Sequence, residues 1–157
     1  MVGSVGKGCS EVDRAYIAGL IDCDGAIMAV IESHKEKKFG FRVRVIVKIT
    51  QKNPKLLKWV YEQLQVGIVR KNRTTFDWIV RDQQHCTQIL ILISKYIQGK
   101  DAQVRLALEI LNSKIVSIQD LQHIARLADT LSGFNVRSSG RRVNYASKIQ
   151  EHASSND

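Results

Sequence analysis

The stretch YIAGLIDCDG, residues 16–25, ends an apolar run in two carboxylates and follows them at once with a glycine. Ser10 before the run and Gly25 after it predict a helix that begins at about residue 10 and ends at about Asp22. Residues two apart on a helix point to nearly opposite sides, so Asp22 and Asp24 cannot form an acid pair on one helical face. Each of the two acids therefore needs its own explanation.

Small residues form a narrow stripe along this helix. The stripe occupies positions i, i+3, i+4 and i+7, which are Ala15, Ala18, Gly19 and Asp22. Ile17, Leu20 and Ile21 fall outside it and can serve the core of the same chain. Such a stripe lets two helices approach closely, either within one chain or between two copies across a two-fold axis. Because the later helices carry no comparable face, we expect a homodimer with these four residues at its interface.

In that dimer, Asp24 would meet its counterpart from the second copy. The C-terminal end of a helix carries partial negative charge, which disfavours a nearby carboxylate. A hard divalent cation held by carboxylate, backbone carbonyl and water would offset this charge, and Mg²⁺ suits that ligand set. An ordinary helix-ending turn also explains DCDG, and on these residues alone it is the favoured explanation of the two.

The rest of the chain alternates strand and helix patterns. Strand character is found in AIMAVIE (26–32), FGFRVRVIVKITQ (39–51), GIVRKN (67–72) and TFDWIVRD (75–82). Asn53 followed by Pro54 predicts the start of a helix between the second and third strands. Three further helices are expected at about 83–97, 101–113 and 118–131.

This order predicts an α+β fold, αββαββα with additional helices, in which one four-stranded antiparallel sheet packs on helices. We expect three regions along the chain. They are a flexible N-terminus at 1–9, a core domain at 10–131, and a basic loop with a short C-terminal helix at 132–157.

The charge of the chain indicates a polyanionic partner. The 157 residues include 24 Lys and Arg against 15 Asp and Glu, for a formal net charge of +9. Residues 35–58 hold nine basic side chains and one acid, Glu36. A cluster of this density is typical of nucleic-acid-binding surfaces.

Cysteine usage and hydropathy exclude several other classes of protein. Cys9, Cys23 and Cys86 are odd in number and show no CxxC spacing, which predicts free thiols in a reducing compartment and argues against structural zinc. The longest apolar stretch, ILILI at 89–93, is too short to span a bilayer, and no signal peptide is visible. We expect an intracellular protein, cytoplasmic or organellar, with no membrane partner and no small-molecule cofactor.

The strand at 41–50 alternates cleanly between an apolar face and a polar, basic face. An antiparallel ribbon of this kind fits the major groove of duplex DNA, although a solvated sheet face with incidental charge is the alternative. The second hairpin alternates too and extends the same surface, and no aromatic platform for single strands is present. The residues expected to contact DNA are Met28, Val30, Glu32, His34, Lys37, Arg42, Arg44, Ile46, Lys48, Thr50, Ile68, Arg70, Asn72, Arg73, Asp77, Ile79, Arg141 and Arg142.

IAGLIDCDG (17–25) resembles the motif of the LAGLIDADG homing endonucleases, with seven of nine positions identical. KITQK (48–52) before a helix, VGIVR (66–70), and GKDAQ (99–103) leading into a helix follow in the order typical of that family. The resemblance covers roughly residues 10–131, with a weaker likeness through 136–142. A single copy of the motif resembles the homodimeric branch of the family.

The resemblance implies site-specific cleavage of a long pseudo-palindromic duplex DNA, one strand per subunit, by an intron-encoded, Mg²⁺-dependent endonuclease. Mn²⁺ would substitute for Mg²⁺, and Ca²⁺ would bind without supporting cleavage. It further implies that Asp24 and the backbone carbonyl of Cys23 bind the metal. Gln51, Lys100 and Lys55 would complete the catalytic set, and Asp22 would be a structural partner at the helix end.

Two alternatives stay open at this point. A non-cleaving relative, acting as an RNA maturase or a DNA-binding regulator, would keep the fold but lose the acid. A basic structural nucleic-acid protein would need no divalent metal. The presence of Asp24, Gln51 and Lys100 together favours catalysis. No HNH or GIY-YIG spacing surrounds His34 or His85, so we interpret His85 as structural.

Overall fold

The computed structural model describes residues 4–135 and 144–155. Its elements, in chain order, are α1 (Glu11–Asp24), β1 (Gly25–Ser33), β2 (Phe41–Gln51), α2 (Pro54–Leu64), β3 (Ile68–Asn72), β4 (Thr75–Val80), α3 (Gln83–Ile93), α4 (Asp101–Asn112), α5 (Ile118–Phe134) and α6 (Tyr145–Ser154). The four strands form one sheet in the order β1-β2-β4-β3, and every neighbouring pair is antiparallel. The α+β fold with a four-stranded antiparallel sheet is therefore confirmed.

Local capping chemistry starts the helices where the sequence predicts. The Ser10 hydroxyl accepts from the backbone N–H of Asp13 at 3.1 Å, and the Asn53 side chain caps α2. Ser117 and Asp120 form a complete capping box at the start of α5. Each such cap satisfies backbone donors that the first turn of a helix leaves unpaired.

The end of α1 differs from the prediction. The helix continues through Asp24, two residues beyond the expected end, and then enters β1 directly. Gly25 permits this junction because a Cβ at that position would lie 2.6 Å from Cα of Ile21. Asp24 is therefore the last helical residue, and its side chain leaves the helix at the junction between two elements.

One face of the sheet packs on helices and builds the core. Val45, Val47 and Ile49 of β2 are fully buried on this face, and Ile17 and Ile21 of α1 are buried in the same core. Burial of a side chain of this size stabilises the fold by roughly 1.5–3 kcal/mol. The alternation predicted for β2 is confirmed, and the β2 side chains on the opposite face of the sheet are partly exposed.

Two further contacts connect distant parts of the chain to the sheet. The Gln83 side chain accepts from the backbone N–H of Val45 and donates to its carbonyl, which joins the start of α3 to β2. Asn135, just after α5, donates to the carbonyl of Ile27 in β1 at 2.6 Å. Within the ranges that the structure describes, no helix is long and apolar enough to cross a membrane.

Candidate nuclease centre and DNA-facing surface

Asp24 and Gln51 meet at the junction of α1 and β1. Because β1 runs antiparallel to β2 with Gly25 opposite Ile49, the end of β2 returns to the end of α1. Nε2 of Gln51 donates to a carboxylate oxygen of Asp24 at 2.7 Å. Asp24 itself is exposed. The structure thus brings together two of the predicted catalytic residues, which are 27 positions apart in the sequence.

Asp22 has a different role from Asp24. Its carboxylate accepts the backbone N–H groups of Gln98, Gly99 and Lys100 at 2.8, 3.1 and 2.9 Å. The ammonium group of Lys100 also donates to the backbone carbonyl of Asp22. Asp22 therefore holds the loop that precedes α4 and fixes Lys100 beside the end of α1.

An open cavity of about 570 Å³ lies at this junction. Its walls are formed by Asp22, Asp24, Gly25, Ala26, Met28, Lys48, Thr50, Gly99, Lys100, Gln103, Phe134 and Asn135. Lys55 is exposed in the first turn of α2 and does not belong to these walls. Asp24 and Lys100 therefore share this cavity, and Gln51, which is not part of its walls, is joined to it by its hydrogen bond to Asp24, whereas in the described part of the chain no such contact links Lys55 to the site.

Gln103 and Asn135 line the cavity but were not expected at the site. Gln103 is only 6% exposed, and it lies in the first turn of α4, three residues after the N-cap residue Lys100. A glutamine at a core-facing position of an amphipathic helix is a signal that the sequence does contain. Asn135 carries no such signal, because its place depends on where the end of α5 crosses β1.

The donor set fits a hard divalent cation only in part. Asp24 supplies carboxylate oxygen, the ligand type that Mg²⁺ prefers. Among the described residues, no three His, Cys, Asp or Glu side chains cluster so that they could hold a metal. An ion at Asp24 would therefore need further oxygen ligands, from a phosphate, from water or from a second copy of the chain.

Acidic and basic side chains are paired on the exposed face of the sheet. Glu32 of β1 accepts from Nε and Nη2 of Arg42 at 2.9 and 2.5 Å, and Nε of Arg44 lies 3.3 Å from the same carboxylate. The Arg42 hydrogen bonds hold the pKa of Glu32 below its ordinary value. Glu32 thus orients two arginines of β2 toward the face that was expected to contact DNA.

Most residues expected on the DNA-facing surface are accessible. Exposed or half-exposed positions are Met28, Val30, Glu32, His34, Lys37, Arg42, Arg44, Ile46, Lys48, Thr50, Ile68, Arg70, Asn72 and Arg73. Asp77 and Ile79 are 0% and 4% exposed, so the expectation that they contact DNA directly is wrong for the chain in this structure. Their neighbours in β2 and β3 cover them. Arg141 and Arg142 lie outside the described residues.

The exposed face of α1 differs from the predicted small-residue stripe. Ala18 is fully buried in the core of its own chain, so its assignment to a dimer interface is wrong. The helix is rotated relative to the predicted stripe, and Val12 and Tyr16 are instead 78% and 54% exposed. Ala15 and Gly19 are exposed beside them. This face combines large apolar side chains with a glycine, which is typical of a helix that packs on a partner.

We predict that Asp22→Ala destabilises the fold by about 2 kcal/mol, because it removes a charged acceptor from three backbone donors. Urea unfolding monitored by circular dichroism measures this change. Asp24→Ala is the matched control, since Asp24 makes one exposed side-chain hydrogen bond, and it should change stability by no more than about 0.5 kcal/mol. Equal losses in the two variants would contradict the separate roles.

Comparisons with known proteins agree with this fold. A family model described as LAGLIDADG endonuclease matches residues 17–111, more than half of the chain. The chain is 32% identical over 126 residues to DNA endonuclease I-CvuI of Chlorella vulgaris, covering 76% of this chain and 77% of that protein. It is 28% identical over 98 residues to DNA endonuclease I-CreI of Chlamydomonas reinhardtii, covering 61% of this chain and 60% of that protein. A crystal structure of I-CvuI with the I-CreI target DNA superimposes with a TM-score of 0.83 at 26% identity, covering 92% of this chain and 94% of that one.

Proposed function

The chain belongs to the LAGLIDADG endonuclease family, and from this premise we propose that it is a homing endonuclease. In this proposal it cleaves both strands of a long, pseudo-palindromic duplex DNA by Mg²⁺-dependent phosphodiester hydrolysis. The observation that carries the proposal is the hydrogen bond of 2.7 Å between Gln51 and Asp24 at a cavity that also contains Lys100. This acid, amide and ammonium group lie at the edge of a basic, exposed sheet face.

The chemistry of phosphodiester cleavage gives each of these residues a task. Asp24 and the backbone carbonyl of Cys23 would hold Mg²⁺, which when bound supplies charge stabilisation to the attacking and leaving oxygens. Gln51 holds the Asp24 carboxylate in one orientation. Lys100 brings a positive charge to the cavity, where negative charge develops on the phosphate in the transition state.

A second copy of the chain is part of the proposal. Of the two carboxylates in the cavity walls, Asp22 is engaged by the loop before α4, which leaves one exposed carboxylate, Asp24, whereas cleavage of two strands needs two centres. The apolar, exposed face of α1 ends at Asp24, so two chains that pack along this face would place two Asp24 side chains side by side. A two-fold symmetric protein then matches a pseudo-palindromic target, with one half-site for each chain.

The relatives supply supporting evidence about ions and DNA. I-CvuI was crystallised with the I-CreI target in the presence of 2 mM Mg²⁺, where the DNA was not cleaved, and with its own target in the presence of 2 mM Ca²⁺. We extend divalent-metal use to this chain, with Mn²⁺ as a substitute and with Ca²⁺ binding without cleavage. We further propose that the gene is carried by an intron, which sequencing of its genomic flanks would test.

Selection from a randomised duplex library tests the proposed function. The protein is incubated with the library in Mg²⁺, in Ca²⁺ and in EDTA, and the ends of cut molecules are sequenced. We expect one symmetric site, recovered only in Mg²⁺. Selective binding without cleavage in any ion would instead indicate the non-cleaving alternative. Equal retention of all sequences would contradict a site-specific enzyme.

We predict that Lys100→Met lowers the rate of cleavage by about 10- to 100-fold, because it removes a positive charge that stabilises the transition state. Affinity for the target in Ca²⁺ should change by less than about threefold if this charge acts in the transition state. Single-turnover cleavage and fluorescence anisotropy measure the two quantities. Lys55→Met is the matched control. A larger loss of cleavage rate in Lys55→Met than in Lys100→Met would mean that Lys55, and not Lys100, stabilises the transition state.

A further inference from the structure

Asp77 is a buried carboxylate beneath the face of the sheet that we propose contacts DNA. It lies on β4, opposite Thr50 of β2 and Arg70 of β3, and it is 0% exposed. Among the described residues, no basic side chain lies within salt-bridge distance of it, and its partners are neutral. The hydroxyl of Thr50 donates to Oδ1 at 2.7 Å, and Nδ2 of Asn72 donates to Oδ2 at 2.9 Å.

These two hydrogen bonds determine what Thr50 and Asn72 can offer to a partner. A carboxylate only accepts hydrogen bonds, so the single hydroxyl hydrogen of Thr50 is directed to Asp77. The Thr50 oxygen is left with lone pairs and can act only as an acceptor. The amide nitrogen of Asn72 is held toward Asp77, so the amide cannot rotate and its carbonyl oxygen keeps one fixed orientation. Thr50 is half-exposed and Asn72 exposed, so both are accessible.

From this network we propose that Asp77 is a positioning residue that sets the donor–acceptor polarity of the DNA-contacting surface. In the major groove the only donors on base edges are the exocyclic amino groups, N6 of adenine and N4 of cytosine. Thr50 can bond to these groups but not to guanine N7 or O6, thymine O4 or a phosphate oxygen, all of which are acceptors. The carbonyl oxygen of Asn72 can accept from the same amino groups, while the second hydrogen of its amide nitrogen stays available to an acceptor. The inference rests on the proposed function and predicts that the target presents adenine or cytosine amino groups to these two side chains.

Base analogues test this rule in the wild-type protein. The target recovered from the library is synthesised with single changes that delete one amino group: purine for adenine, or 2-pyrimidinone for cytosine. Affinity is measured in Ca²⁺, without cleavage. At the base pairs contacted by Thr50 and Asn72, deletion of the amino group should weaken binding by about five- to tenfold, the effect of one hydrogen bond. At the pair contacted by Thr50, a 7-deazapurine, which lacks the N7 acceptor, should bind normally.

Variants at Thr50 and Asn72 identify the base pair that each residue contacts. Thr50→Val and Asn72→Ala should each abolish the penalty for amino-group deletion at one base pair and leave the others unchanged. Because both side chains are accessible, these variants test the polarity of the two contacts even if a change at Asp77 prevents folding. If the wild-type protein tolerates every amino-group deletion at the mapped pairs, or if 7-deazapurine weakens binding at the Thr50 pair, the inference is wrong.

Asp77→Asn tests the positioning role itself. Thr50 and Asn72 donate to different oxygens of Asp77, and asparagine replaces one of these oxygens with an NH₂ group, so it cannot accept at both positions. At least one of the two base pairs should therefore lose its dependence on the amino group, while affinity for non-specific duplex stays constant. Asp82→Asn is the matched control, because Asp82 caps α3 outside the sheet and asparagine caps helices equally well.

The outcomes separate this inference from the proposed function. Recovery of no preferred duplex by the wild-type protein would overturn the function. A recovered site whose amino-group dependence survives unchanged at both pairs in folded Asp77→Asn would overturn only the positioning role. A change of preference in Asp77→Asn with no change in its melting temperature would support the role, since a purely structural carboxylate would alter stability without altering base preference.

Discussion

Asp24→Asn is expected to lower DNA cleavage by at least about a thousandfold, an effect of roughly 4 kcal/mol on the activation barrier. The amide keeps the shape of the side chain and can still accept the hydrogen bond from Gln51. It removes the charge that would hold a divalent cation, and neutral amide oxygens bind Mg²⁺ much more weakly than carboxylates. The loss should appear in single-turnover cleavage at saturating Mg²⁺.

The affinity of Asp24→Asn for DNA should not fall together with its cleavage rate. Asp24 is exposed at a cavity that would face the phosphates of the target, so without metal its negative charge opposes DNA. In EDTA, Asp24→Asn should therefore bind the target at least as tightly as the wild type. In Ca²⁺, the wild type should gain affinity and the variant should gain little.

Two controls make this result specific. Asp82→Asn carries the same chemical change outside the site and should cleave at the wild-type rate. Melting temperature should be unchanged in both variants, because Asp24 makes no buried contact. Cleavage by Asp24→Asn within tenfold of wild type would mean that the catalytic carboxylate lies elsewhere. A loss of binding in EDTA would mean that Asp24 contributes to DNA recognition instead.

Local chemistry explains why much of the fold was predictable. Caps such as Ser10 and Asn53 act within three residues, and the alternation along β2 reports burial of one face without information from the rest of the chain. The approach of Gln51 to Asp24 was expected only from the family resemblance, since 27 residues separate the two. The antiparallel pairing of β1 and β2 then accounts for it in physical terms.

The errors arise where a side chain has to be assigned to one of two surfaces. Ala18 fits a small-residue stripe and a tightly packed core equally well, and only the position of the sheet beneath α1 decides between them. Asp77 alternates onto the exposed face of β4, yet Thr50 and Asn72 on two other strands close over it. Sequence periodicity predicts the face of the sheet to which a side chain points, but not whether side chains on neighbouring strands cover it.

Gly19→Leu is expected to abolish dimer formation and, with it, cleavage of both strands. No atom of the described chain lies within 4 Å of a Cβ built at Gly19, so the isolated chain can accommodate the larger side chain. Leucine also favours the helix by about 0.8–1 kcal/mol relative to glycine. Any loss must therefore come from the second copy, whose α1 would have to occupy the space that the leucine fills.

Sedimentation at micromolar protein measures the dimer, and circular dichroism measures the fold. We expect a monomer with wild-type helix content, whose melting temperature no longer depends on protein concentration as that of a dimer does. Gly133→Leu is the matched control, because Gly133 lies on α5 and also has open space at its Cβ; it should remain a dimer. Gly19→Ala should give an intermediate weakening, since its methyl group intrudes less than the leucine side chain does.

The same variant separates dimerisation from catalysis. Each Gly19→Leu chain keeps Asp24, Gln51 and Lys100 in place, so its active centre is chemically intact. What it loses is the second half-site, and affinity for the symmetric target should fall by at least about a hundredfold because the two half-sites are no longer bound by one molecule. A Gly19→Leu protein that still sediments as a dimer and cuts both strands would show that the chains meet through another surface. The exposed Val12 and Tyr16 would then have to serve a different contact.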